Sequence, residues 1–301
     1  MPPSRKAASR YNHEPITLVS FDTVLNIDLH CHSVISDGKL APADLAARAK
    51  TNGVDVWALT DHDEVGGIAA ARQAASELQL HFVAGVEISI TWGGETVHIV
   101  GLQIDETNPD LLAGLHQTRH GREQRAREMA QQLAQVGIPD AYEGALKFAG
   151  NPDLIGRTHF ARYIIELGVC PDTTAVFTKY LIEGKPGFVP HRWATLAQAV
   201  GWIQGAGGTA VVAHPGRYRF STLQRDALLD EFMALGGNAI EVVTGSHTVD
   251  DYAVWAQVAK QFGLRGSRGA DFHAPGESRI DLGALPPLPS FVTPVWADWG
   301  L

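Results

Sequence analysis

Ile27-Asp28-Leu29-His30-Cys31-His32 ends the first apolar run of the chain with two histidines one residue apart. Alternate side chains of a strand share a face, so His30 and His32 point together and Cys31 points the other way. Two imidazoles at a strand end can grip one metal ion, while Cys31 is expected to pack in the core. Asp37 follows in Ser36-Asp37-Gly38, a loop position from which a carboxylate can reach the same space. Leu59-Thr60-Asp61-His62-Asp63 repeats the theme at a second strand end. There His62 is a candidate ligand, and Asp63 either orients it or caps the next helix.

Glu87 lies inside Val83-Ala84-Gly85-Val86-Glu87-Ile88, and His98 inside Val97-His98-Ile99-Val100. An acid in a buried apolar run is costly unless paired or coordinated. If the two runs form a hairpin, the side chains meet, and Glu87 is suited to bridge two metal ions. Ala213-His214-Pro215 and Ala270-Asp271-Phe272-His273 end two later runs, the second repeating the same-face spacing of His30 and His32. Each motif alone is weak. Five strand ends each delivering His, Asp or Glu form a pattern, because catalytic groups of β/α barrels collect at the C-terminal rim of the strands.

The elements that must hold these residues follow from the apolar periodicity. Strands are expected over 24–30, 55–60, 80–89, 96–104, 209–214, 239–243 and 264–271, with helices over 42–51, 67–78, 196–204, 222–235 and 249–262. Such alternation predicts a parallel sheet or a β/α barrel. The link Thr91-Trp92-Gly93-Gly94-Glu95 has hairpin chemistry instead. From 105 to 190 the pattern is helical throughout, with helices over 111–136, 142–149, 158–167 and 175–181. The expected organisation is therefore a loose tail over 1–23, a barrel built from 24–104 and 188–301, and an all-helical insertion over 105–187 capping the site.

A chain of 301 residues with 45% hydrophobic and 19% charged residues can bury a large core, and none of its apolar runs reaches the roughly 20 residues of a membrane helix. Two cysteines exclude a disulfide framework and point to a reducing, cytoplasmic setting. A net charge of −9 argues against bulk capture of duplex DNA, but bound cations would reverse the sign locally at a carboxylate cluster. Arg119, Arg122, Arg125 and Arg127 either contact an RNA backbone or, as the i,i+4 spacing of Arg119, Glu123 and Arg127 favours, form a solvated helix face.

His-Cys-His with Ser-Asp-Gly, Thr-Asp-His-Asp, the Gly-Val-Glu strand, Ala-His-Pro and Asp-Phe-His stand in the order of the PHP (polymerase and histidinol phosphatase) superfamily, which the chain resembles from about Ile27 to Pro275. Gly156-Arg157-Thr158-His159-Phe160-Ala161-Arg162 and Phe188-Val189-Pro190-His191 resemble the subgroup of nucleoside bisphosphate phosphatases and 5′-3′ oligoribonucleases with a helical insertion. The resemblance implies a distorted seven-stranded (β/α)7 barrel and a trinuclear metal site. One ion would be held by His30, His32, Glu87 and Asp271, a second by Glu87, His98 and His159, and a third by Asp37, His62 and His273. Arg157 and His214 would contact the substrate phosphate, with His191 a further contact. His214 is the first candidate for general acid and Asp63 the second.

Mixed imidazole and carboxylate donors suit Mn²⁺, Fe²⁺ or Zn²⁺, and the resemblance puts manganese first. The expected reaction is hydrolysis, by a metal-activated hydroxide, of the 3′-phosphate of a 3′,5′-bisphosphonucleotide or of 5′-phosphorylated short RNA. A histidinol-phosphate phosphatase is the alternative enzyme. A non-catalytic structural module is the alternative of another class, and its mark would be lost ligands. Here all nine expected positions are filled. Near the last motif, Gly266-Ser267-Arg268-Gly269-Ala270 departs from the family's direct Gly-Ser-Asp run, which leaves that loop's course open.

Overall fold

The computed structural model describes residues 25–301. The expected tail over 1–23, and Val24 at the start of the first expected strand, lie outside them. Seven strands form one sheet in chain order: β1 (Ile27–Asp28), β2 (Val56–Leu59), β3 (His81–Trp92), β4 (Glu95–Leu102), β5 (Thr209–Val212), β6 (Ala239–Thr244) and β7 (Arg265–Gly269). Neighbours run parallel except β4, which is antiparallel to both β3 and β5. The Gly93-Gly94 link explains this. Both glycines have positive φ (58° and 86°), as a tight hairpin requires, and so short a link cannot make a parallel crossover.

The sheet closes on itself. Beyond the regular strands, Leu29 N–H donates to Arg268 O (3.0 Å), Asp271 N–H to His30 O (2.9 Å) and His32 N–H to Phe272 O (2.9 Å), joining the end of β7 to that of β1. Gly269 permits the approach, since a Cβ there would lie 2.3 Å from that of His30. This settles the course of the Arg268-Gly269-Ala270 loop, which delivers Asp271 beside His30.

Among the described residues ten α-helices surround the barrel or lie over it: α1 (Pro42–Thr51), α2 (Ile68–Glu77), α3 (Pro109–Arg119), α4 (Arg122–Gln135), α5 (Ala141–Leu146), α6 (Arg157–Glu166), α7 (Thr173–Val176), α8 (Leu196–Gly205), α9 (Thr222–Ala234) and α10 (Val249–Phe262). Strand alternation sends Ile27, Leu29, Val56, Ala58, Val211 and Ala213 into one core and Trp57, Leu59, Val86 and Ile88 into another, covered by the outer helices. A separate core over Ala126, Met129, Leu133, Phe160, Ile164 and Leu181 holds α4 to α7 together.

The helix expected over 111–136 is broken at Gly121, whose φ of 94° is left-handed, so α3 and α4 are distinct. Helix α3 packs against α8 and gives Leu111 and Leu115 to the barrel's core, whereas the second core begins at Ala126. The helices that share the second core thus begin after Gly121, within the insertion expected over 105–187.

Candidate metal centre

Strand β3 brings Glu87 to the rim, fully buried, and five imidazoles converge on its carboxylate. Oε1 lies 2.9 Å from both His98 Nδ1 and His214 Nε2; Oε2 lies 2.9 Å from His62 Nδ1, 3.3 Å from His32 Nε2 and 3.4 Å from His30 Nε2. The hairpin explains the first of these contacts, since Glu87 pairs with Val100 two residues from His98. Asp271 Oδ1 is 3.2 Å from His32 Nε2 and 3.6 Å from His30 Nε2. Asp37 Oδ1 is 3.3 Å from His273 Nε2 and 3.9 Å from His62 Nε2. Candidate ligand atoms thus gather as His30/His32/Asp271, as His62/Glu87/His98 with His30/Glu87/His214, and as His32/Asp37/His62/His273.

These donors fit divalent cations. Among the described residues His32 Nδ1, Asp37 Oδ1, His62 Nδ1 and Glu87 Oε2 are buried and make no well-aligned hydrogen bond, at a cost of about 1–3 kcal/mol for each group left so. The charges agree. Burial would raise the carboxyls of Glu87, Asp37 and Asp271, but the surrounding imidazoles hold all three well below the usual range. Burial would lower His273, yet Asp37 lifts it to about 9. His30 is likewise pushed well above its ordinary value, against burial, by Glu241 and Glu87. Burial, with His273 and His62 beside it, drops His32 to about 3. Three anions compete for a few shared protons, which metal ions would displace.

A second ring of residues orients the first. Glu241 of β6 accepts from His30 Nδ1–H (2.8 Å) and from His214 N–H (2.6 Å), leaving His30 Nε2 turned toward Glu87. Asp61 accepts from Ser33 N–H (2.7 Å), Ser33 Oγ–H (2.6 Å) and Ser36 Oγ–H (2.6 Å), which fixes the loop presenting Asp37. Cys31 is buried with its Sγ–H on Ala58 O (3.3 Å), as strand alternation requires. Neither Glu241 nor Asp61 was singled out from sequence, although Glu241 carries the same signal as Glu87, an acid inside an apolar strand.

The remaining expected residues fall as follows. His159 sits beside Ser36 and Asp37 instead of beside Glu87. Its Nδ1 accepts the Gly156 N–H (3.0 Å), so the neutral ring carries its proton on Nε2 and offers no lone pair there to a metal. The place beside His98 expected for His159 is taken by His214. Asp63 is fully buried, its oxygens occupied by Ser89 N–H (2.7 Å), Ser89 Oγ–H (2.9 Å) and the Arg122 guanidinium, so nothing is left for an acid role toward substrate.

Asp37, His62, His98 and His273 share a pocket with Arg122, Arg125, Arg157 and Arg217, walled by Phe177 and Trp193. Arg122 lies 4.5 Å over the Trp193 ring, and Arg125 donates to Val189 O (3.0 Å). The expected solvated arginine face is thus wrong for these two, which are buried. Arg127 does pair with Glu123 in solvent, and Arg119 pairs with Glu64 at 3.1 Å. Arg157 makes no ion pair among the described residues, and burial together with Arg217 and Arg122 lowers it to about 10. Arg217 Nη1, not anticipated from sequence, is 3.1 Å from Asp271 Oδ2. His191 stays at the edge, against Trp193 at 4.2 Å.

A closed seven-stranded β/α barrel with this rim, facing an arginine-lined pocket, defines a metal-dependent hydrolase of phosphoric esters. The chain belongs to the PHP family: the family's profile, described as PHP domain, matches residues 28–204. It is 49% identical over 91% of its length, and 96% of the other protein, to a 3′,5′-nucleoside bisphosphate phosphatase of Chromobacterium violaceum. It is 41% identical to the 5′-3′ exoribonuclease Rnm of Escherichia coli, over 90% of this chain and 93% of that one. A solved structure of an amidohydrolase from C. violaceum with bound sulfate and no metal superposes with a TM-score of 0.88 at 49% identity, covering 90% of this chain and 94% of that chain. Among the described residues no helix is long and apolar enough to cross a membrane.

Proposed function

We propose that this chain hydrolyses the 3′-phosphate of 3′,5′-bisphosphonucleotides, or trims 5′-phosphorylated short RNA from its 5′ end, using three divalent metal ions with manganese first. The convergence of five imidazoles on the buried Glu87 carboxylate carries the reading, because five ring nitrogens within 3.4 Å of one buried carboxylate form a donor set suited to shared cations. His30, His32 and Asp271 hold the first position, Glu87 with His98 and His214 the second, and Asp37, His62 and His273 the third. When bound, the ions supply Lewis acidity and a nucleophile available near neutral pH. Glu87 joins the positions, and Glu241 holds His30 with its Nε2 free.

Arg157, unpaired at the pocket wall, and Arg217 beside Asp271 neutralise the phosphoryl oxygens, where stabilisation of phosphoryl transfer is concentrated. Arg122 is committed to Asp63 and Arg125 to Val189 O, so Arg157 and Arg217 are the pocket arginines assigned to phosphate oxygens. His214 is assigned to the metal position instead of the phosphate, because its Nε2 faces Glu87. His191 remains a contact for the far end of the substrate. A histidinol-phosphate substrate has no observation in its favour here, and a non-catalytic module would not retain this complete donor set.

Product analysis tests the reading. Adenosine 3′,5′-bisphosphate and a 5′-phosphorylated trinucleotide are expected to turn over with Mn²⁺ and to stop with chelator, while histidinol phosphate turns over poorly. Preferential hydrolysis of histidinol phosphate, or turnover undiminished by chelation, would overturn it.

A further inference from the structure

Tyr218 stands just outside the ligand set and makes two polar contacts with it and a third with Ala213. Its Oη accepts the His98 N–H (2.9 Å), donates to Ala213 O (3.0 Å) and lies 3.3 Å from His214 Nδ1. A phenol oxygen has one proton to give and two lone pairs. With the proton on Ala213 O and one lone pair on His98 N–H, only an acceptor is left for His214. The His214 ring must then carry its proton on Nδ1, which leaves the Nε2 lone pair, 2.9 Å from Glu87 Oε1, free to bind a cation.

We propose that Tyr218 is the positioning residue of the second metal position, fixing the tautomer of His214 and the backbone of His98 at once. The inference rests on the assignment of His98, His214 and Glu87 to that position. The Nδ1 of His214 makes no other hydrogen bond among the described residues, and its backbone at φ 25° is held by the Glu241 carboxylate through N–H, which sets where the ring starts but not how it is protonated. The Tyr218 side chain lines a cavity with Val212, Pro215, Phe220 and Trp255 and packs near Phe220, contacts that Tyr218→Phe retains. Orienting partners of this kind change metal affinity by about 10–100-fold when removed.

Manganese binding by calorimetry and elemental analysis of the dialysed protein, on wild type, Tyr218→Phe and His214→Ala, tests the proposal. Wild type is expected to retain three ions. Tyr218→Phe is expected to retain two and to bind the third about 10–100-fold more weakly, with turnover recovering at high Mn²⁺. A purely structural role would instead lower the melting temperature of the chelated protein and leave the binding curve unchanged. With diamagnetic Zn²⁺, a protected Nδ1 proton of His214 is expected in the nitrogen-correlated spectrum of wild type and is lost in the variant. Full affinity for three ions in Tyr218→Phe, while His214→Ala loses one, overturns the role of Tyr218 and leaves the metal centre standing. No manganese bound to wild type overturns the centre itself and this inference with it.

Discussion

Replacing Glu87 by glutamine keeps its shape and removes its charge, which separates packing from ligation at the point where five imidazoles meet. Glu87→Gln is expected to lose bound metal and roughly 100-fold or more of turnover while keeping its circular dichroism spectrum; unchanged metal content would contradict the assignment. Protons compete with metal at the same nitrogens. His273 at about 9 and the raised His30 are protonated at neutral pH without metal, and each must lose its proton to bind one. Affinity for Mn²⁺ should therefore rise as pH increases from about 6.5 toward 9, with protons released on binding. Calorimetry in buffers of different ionisation heat reads both, and a pH-independent affinity is the contrary result. At this scale the sequence was informative wherever a polar residue interrupts or ends an apolar run, as at His30, His62, Glu87 and His98. The proposed exchange of His159 for His214 was not legible, because it depends on which ring nitrogen the Gly156 N–H occupies.

Helix α4 is tied to the barrel through Arg122, whose guanidinium meets the buried carboxylate of Asp63 at the end of the β2 segment and stacks on Trp193. Arg122→Ala would leave Asp63 buried and uncompensated, at a cost of about 3–5 kcal/mol. Denaturant unfolding of the chelated variant should show that loss, and a change below about 1 kcal/mol would mean that the pair is not an anchor. The strands and outer helices were readable from periodicity because each buries one face. The break at Gly121 was not, since α3 and α4 continue the same apolar phase past a glycine whose φ of 94° only the packing reveals. Arg122 and Arg125 lie on the buried stripe of α4 with Ala126, Met129 and Leu133, whereas the i,i+4 pair Glu123 and Arg127 keeps the solvated face.

Across the whole molecule, the barrel supplies the candidate ligands, and Arg122, Arg125, Arg157 and Phe177 from the segment after Gly121 share their pocket, so the pocket exists only where the two meet. Arg157→Ala is accordingly expected to raise KM for adenosine 3′,5′-bisphosphate and to lower kcat, while leaving Mn²⁺ affinity unchanged. Reduced metal content in that variant would place Arg157 in the wrong role. The central claim, that distant imidazoles and carboxylates share cations around Glu87, is met most directly by anomalous diffraction at the manganese edge from crystals grown with Mn²⁺. Peaks are expected on both sides of the Glu87 carboxylate, with a third among Asp37, His62 and His273. A map with no peak in contact with Glu87 would contradict it.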